Sequence, residues 1–136
     1  MTTSTARLDA APAVRAPFSR ANKAGLVIAA LLGLSDVISL ASPTPSGEVG
    51  PPTAILALDA VLGLITVVAV VVAWRSRSRG LVRLAAGARI LSLITALPAF
   101  FAGVAPALVA LVAGFTVVTV AAVVLMLLPP RRPADD

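Results

Sequence analysis

Apolar residues in this chain are gathered into four long runs, separated by short breaks rich in proline, serine or arginine. The runs extend from Ala24 to Ser42, Thr53 to Trp74, Gly80 to Phe101 and Ala105 to Leu128. A helix rises about 1.5 Å per residue and the hydrocarbon core of a bilayer is about 30 Å thick, so about 20 apolar residues suffice to cross it. Each run meets that length. The valine-rich stretches Val67–Ala73 and Val117–Leu128 would suggest strands in water. In lipid an open strand leaves its peptide groups without partners, whereas a helix satisfies them internally. The pattern therefore predicts an all-α membrane protein, a bundle of four transmembrane helices arranged as two in-out-in hairpins. A 55-residue shift places Gly25 on Gly80, Pro43 on Pro98, Pro51 on Pro106 and Arg77 on Arg132, which is compatible with a duplicated hairpin.

The breaks carry their own chemistry. Pro51 and Pro52 precede the second run, where a helix start tolerates proline, and Pro129 and Pro130 end the fourth. Pro43 and Pro45 make the first connection helix-free, and Pro98 is expected to kink or end the third run. Trp74, Phe100 and Phe101 fall at expected interfaces. The first run could also serve as the apolar core of a signal peptide, cleaved after Ser39-Leu40-Ala41. Its length, the Asp36 within it and the 23 residues before it favour a permanent span. Those 23 residues, rich in Thr, Ala, Pro and Arg, are expected to be a disordered basic tail, and residues 129–136 a second short tail.

Charge sets the orientation. All nine basic residues outside the runs fall on alternate connections: Arg7, Arg15, Arg20 and Lys23, then Arg75, Arg77 and Arg79, then Arg131 and Arg132. The positive-inside rule assigns that side, with both termini, to the cytoplasm of a cell's inner or plasma membrane. Arg83, one turn into the third run, can extend its side chain to the same headgroups. Arg75, Arg77, Arg79 and Arg83 are thus expected to face anionic lipid. The net charge of +5 is accounted for in this way and does not suggest nucleic acid.

Within the runs lie Asp36, Asp59 and Arg89, each costing at least about 2.5–3.5 kcal/mol near mid-bilayer unless paired. Counting from the cytoplasmic ends, Asp36 stands about 18 Å up, Arg89 about 13 Å and Asp59 about 22 Å. An intramembrane cluster of these three follows, with Arg89 nearest Asp36 and Asp59 above. Two acids against one base leave one carboxylate without a full partner, and Asp59 is expected to be the one that can take a proton. Gly33 and Ser39, Gly63 and Thr66, and Ser92 with Ala85 and Ala86 place small or hydroxyl residues beside the charges, which suits close packing of the first three helices in lipid. Ala110 and Gly114 form a further small pair on the fourth.

With 59% apolar and 12% charged residues in 136, and a mean hydropathy of +1.02, the chain cannot wet the surface of a soluble enzyme. It has no Cys, His or Tyr, so disulfides, thiolate or imidazole metal sites and the commonest general bases are absent. No metal or cofactor motif is present, and Asp59 lacks the surroundings that a catalytic acid pair would need. The expected function is that of an accessory or scaffolding subunit, without catalytic chemistry of its own, that packs against itself as a homo-oligomer or against a larger membrane complex. The alternative is a small oligomeric proton-coupled transporter or channel using the Asp/Arg cluster.

Overall fold

A computed structural model of the chain describes residues 17–42, 52–100 and 106–129. They form four helices and no strand: α1 Arg20–Ala41, α2 Thr53–Ser76, α3 Arg79–Ala96 and α4 Pro106–Leu127. A 3-10 turn, Leu97–Phe100, follows α3 and contains Pro98, so the proline ends the α-helix, as expected. Pro52 caps the start of α2, which needs no amide hydrogen there. The tail before residue 17, Pro43, Pro45, Pro51, Phe101 and the last seven residues lie outside the described residues, as do Arg131 and Arg132.

Helix α1 begins at Arg20, one turn earlier than the apolar run. Ser19 is its cap: the Ser19 hydroxyl accepts from the Asn22 amide, and the Asn22 side-chain oxygen accepts from the Ser19 amide. Three segments are long and apolar enough to cross a membrane, namely α1, α2 and Val109–Leu127 of α4. Helix α3 is not among them, so by length and composition three of the four expected spans are supported. Its 18 residues include Arg79, Arg83 and Arg89. Two of these arginines are exposed near its start, and the third is buried inside the bundle.

The helices run up and down around a ring, α1 beside α2, α2 beside α3, α3 beside α4 and α4 beside α1. Phe18, Asn22, Arg79, Arg83 and Leu128 share one cleft, so the starts of α1 and α3 and the end of α4 lie together. The fourth helix therefore belongs to the core, which the first three do not form alone. Near this end the interior is built of Leu26, Ala29, Ala69, Val70, Ala73, Val82, Ala85, Ala86, Ala122 and Met126. Most of these are alanines, and large apolar side chains such as Leu31, Ile38, Val61, Leu64, Val117 and Val124 point outward instead. A soluble bundle does the reverse. Such an exterior suits lipid, where small interior residues let backbones approach and gain dispersion contacts.

Two close approaches depend on glycine. A Cβ on Gly33 would lie 2.7 Å from the Gly63 carbonyl oxygen, and one on Gly63 would meet the Gly33 oxygen and lie 2.9 Å from the Asp36 Cβ. The α1 and α2 backbones thus touch beside the charged residue. At the other contact, a Cβ on Gly25 would lie 2.7 Å from the Met126 amide nitrogen of α4. Gly80, the repeat counterpart of Gly25, faces only Ser78 of its own turn. The matched glycines therefore have different jobs, and the packing gives the 55-residue shift no support.

A polar clip closes the basic end. The Asn22 side-chain amide donates to the carbonyls of Leu125, Met126 and Leu128, each at 3.0 Å, covering C-terminal carbonyls that α4 cannot satisfy itself. The α2–α3 connection is equally tight, and Arg77 closes it in the left-handed region at φ 52°. A side chain there costs about 1–2 kcal/mol, most of which glycine avoids. Two outcomes follow for thermal unfolding in detergent. Asn22→Ala should lower stability by about 1–3 kcal/mol, because buried carbonyls lose their donor. Arg77→Gly should raise it by about 0.5–1 kcal/mol, whereas Arg77→Val should lower it.

Candidate functional site

The polar layer lies above the alanine core, away from the clip. Arg89, on the inner face of α3, extends across the bundle to α1, its diagonal neighbour. Its Nη1 donates to Asp36 Oδ2 at 2.6 Å, with the arginine 4% and the aspartate 18% exposed. The diagonal reach is possible because the Gly33–Gly63 contact brings α1 and α2 together and leaves no side chain between them. A charge-assisted bond of this length, away from water, is strong, and each partner prevents a large penalty for the other.

Asp59 forms no ion pair among the described residues. Its Oδ1 accepts from Ser92 Oγ at 3.1 Å and lies 2.7 Å from Thr95 Oγ1, both on α3. The cluster expected from the sequence thus divides in two: one ion pair joins α1 to α3, and one carboxyl is held by hydroxyls between α2 and α3. Arg89 and Ser92 are three residues apart, so the two halves occupy adjoining turns of α3. Among the described residues, one buried side-chain nitrogen or oxygen has no partner, and it is Arg89 Nε.

The expected lining residues fare differently. Gly33 and Gly63 form the helix contact described above, and Ser92 bonds Asp59 directly. Thr66 is fully buried but donates to the Leu62 carbonyl of its own helix, 2.8 Å away, so it packs beneath the cluster without bonding to it. Ser39 does not line the cluster. It is exposed in the last turn of α1 and donates to the Ser35 carbonyl, because three residues of helix turn it partly away from Asp36. The four arginines expected to face lipid, Arg75, Arg77, Arg79 and Arg83, are all exposed at the clipped end with Arg20 and Lys23. No acid lies among the described residues there, since Asp36 and Asp59 are the only acids described.

Two functional residues were missed. Thr95 stands three residues beyond Ser92, a spacing that puts both hydroxyls on one helix face, and that spacing was the signal for it. Asn22 was assigned to the tail, although Ser19 three residues earlier is a capping signal. The Ala110–Gly114 pair was noted in the sequence as a further small pair on the fourth helix. Among the described residues, nothing lies within 4 Å of a Cβ built on Gly114. It lines an open groove of about 530 Å³ between α1 and α4, with Ile28, Leu31, Leu32, Ser35 and Phe115.

A double-mutant cycle measures the ion pair. Asp36→Leu or Arg89→Leu alone should lower unfolding stability by about 3–5 kcal/mol, because each leaves a buried charge unpaired. The combined variant should lose clearly less than the sum of the two. Additive losses would mean that the two side chains do not interact.

No protein-family model, no curated protein and no solved structure matches this chain, so its fold and its polar layer are the ground on which its function has to be argued.

Proposed function

We propose that this protein spans a cell membrane four times with its clipped, basic end in the cytoplasm, and that it acts there as an accessory or scaffolding subunit by lateral helix packing. The gathering of six exposed cations at one end of the bundle favours that orientation. Helix α3 can serve as a span despite its three arginines. Arg79 and Arg83 reach the headgroups, and Arg89 is neutralised by Asp36 inside the bundle. Catalysis plays no part in this reading, in which the polar side chains are engaged in joining helices.

The observation that carries the reading is the groove between α1 and α4. Elsewhere these helices meet backbone to backbone at Gly25, yet at Gly114 they stand apart. The walls of the groove are apolar apart from Ser35, and Gly114 with Ala110 offers the small surface on which a membrane helix can seat closely. A helix of a second copy or of a larger membrane complex would fill it.

A second reading, proton-coupled transport, is favoured by one feature: Asp59 is an intramembrane carboxyl with hydroxyl partners and no ion pair among the described residues. It predicts a pH-dependent flux in proteoliposomes that Asp59→Asn abolishes.

The absence of cysteine makes the groove testable in native membranes. Gly114→Cys should give a disulfide-linked dimer or an adduct with a membrane partner, whereas Gly87→Cys, on an equally open face of α3, should not. Equal crosslinking from both positions, or none from either, would reject lateral packing through this groove.

A further inference from the structure

We propose that the cleft at the basic end of the bundle is a binding site for the phosphate of one anionic phospholipid. Phe18 and Asn22 from the start of α1, Arg79, Val82 and Arg83 from the start of α3, and Leu128 after α4 form its walls. Arg79 and Arg83 are four residues apart, the spacing that stacks two side chains on one face of a helix. Both are exposed, and neither has an ion pair among the described residues. Two guanidinium forks beside one cleft match a phosphate, whose oxygens accept from paired N–H groups.

The backbone around the cleft favours the same charge. Helix α3 starts at Arg79 with its positive dipole end at the cleft, and Ser78, its cap, makes no side-chain bond to the first amides. The end of α4 acts in the opposite sense, since its last carbonyls carry partial negative charge. The Asn22 amide counters this by donating to the carbonyls of Leu125, Met126 and Leu128. The clip therefore does more than hold α4: it quiets a helix end that would otherwise repel an anion. No acid among the described residues stands at this end to take the arginines.

Size and depth select the occupant. The cleft offers about 70 Å³. One water needs about 10–15 Å³ of such room, so a group of about five heavy atoms fits, as a phosphate does and a helix does not. Trp74, exposed two residues before the end of α2, marks the headgroup level at the same end. Beside the arginines, Phe18, Val82 and Leu128 offer apolar contact to a glycerol and its first acyl carbons. A free phosphate gains nothing from them, and a lipid does. The chain's own Asp135 and Asp136 follow this end, but Arg131 and Arg132 between them and α4 offset their charge. The site rests on the membrane reading proposed above and is independent of the groove between α1 and α4.

Lipid binding by the full chain in a nonionic detergent tests it. Native mass spectrometry should find one phosphatidylglycerol retained per chain, and that lipid should raise the unfolding midpoint more than phosphatidylcholine does. Arg79→Gln with Arg83→Gln should weaken the binding at least about tenfold, since two charge-assisted bonds are lost. Arg83→Gln alone, for use if the double variant fails to fold, should weaken it about fivefold, the share of one cation at a membrane surface. Arg20→Gln with Arg75→Gln removes the same charge away from the cleft and should leave the affinity nearly unchanged. Arg20 is two positions from Asn22, hence on the other side of α1, and Arg75 belongs to α2. Equal losses from the two pairs would reduce the site to a diffuse basic surface and overturn the proposal. So would equal binding of the two lipids, or an equal rise of the midpoint with inorganic phosphate alone. Asp135→Asn with Asp136→Asn should leave lipid affinity unchanged, and a marked gain would give the cleft to the chain's own tail instead. Incorporation into vesicles of phosphatidylcholine alone checks the membrane reading separately, so that loss of the site and loss of that reading are told apart.

Discussion

The contact between Gly33 and Gly63 is the constraint on which the polar layer depends. Neither residue can carry a Cβ without striking the other helix's carbonyl. Their absence of side chains draws α1 and α2 together beside Asp36, and this opens the diagonal along which Arg89 reaches it. Lipid adds the second half of the constraint. With no water to solvate a guanidinium, Arg89 must find its counterion within the protein, and Asp36 is the one acid left to it once Asp59 is held by Ser92 and Thr95. Packing and electrostatics thus fix the same register of three helices. Such a layer specifies the arrangement more than it stabilises it, because the cost of burying two charges offsets much of their attraction.

How much of this the sequence reveals depends on whether a feature is periodic or relational. The four helices were legible because proline, serine or arginine closes each of the runs they occupy, although α3 proved less apolar than the rest, and their ends shifted by a turn or so. The Asp36–Arg89 pair was legible from height alone, since lipid allows few alternatives for a charge. What height cannot convey is azimuth near the end of a helix. Ser39, placed beside Asp36 by spacing, proved to be exposed, and Thr66 spent its hydroxyl on its own helix. Asn22 escaped notice for another reason. Its role lies in three carbonyls that belong to a helix about a hundred residues later, and backbone acceptors leave no trace in the sequence.

The interior also explains why an apolar chain carries so many alanines in its core. Lipid removes the hydrophobic drive between helices, so a leucine gains little by turning inward. Leu31, Val61 and Leu64 accordingly face out, and Ala29, Ala73, Ala85 and Ala122 are almost wholly enclosed. Fourteen well-buried apolar residues share the interior with Asn22, Thr66, Arg89, Ser92 and Thr119. Among the described residues, the one buried polar side-chain atom left without a partner is Arg89 Nε.

These forces act unequally along the bundle. At the basic end, α4 is held by the Asn22 amide and by backbone contact at Gly25, and Ala122 and Met126 are enclosed in the core. Toward its start the same helix contributes no side-chain hydrogen bond to another helix among the described residues, and the groove separates it from α1. The polar layer joins α1, α2 and α3 and leaves α4 out, since α4 has no charged residue to bring to it. The side-chain hydrogen bonds between helices therefore tie α1, α2 and α3 in the polar layer, and tie α4 to α1 at the basic end through Asn22. The first half of α4 stands beside the open groove lined by Ala110, Gly114 and Phe115.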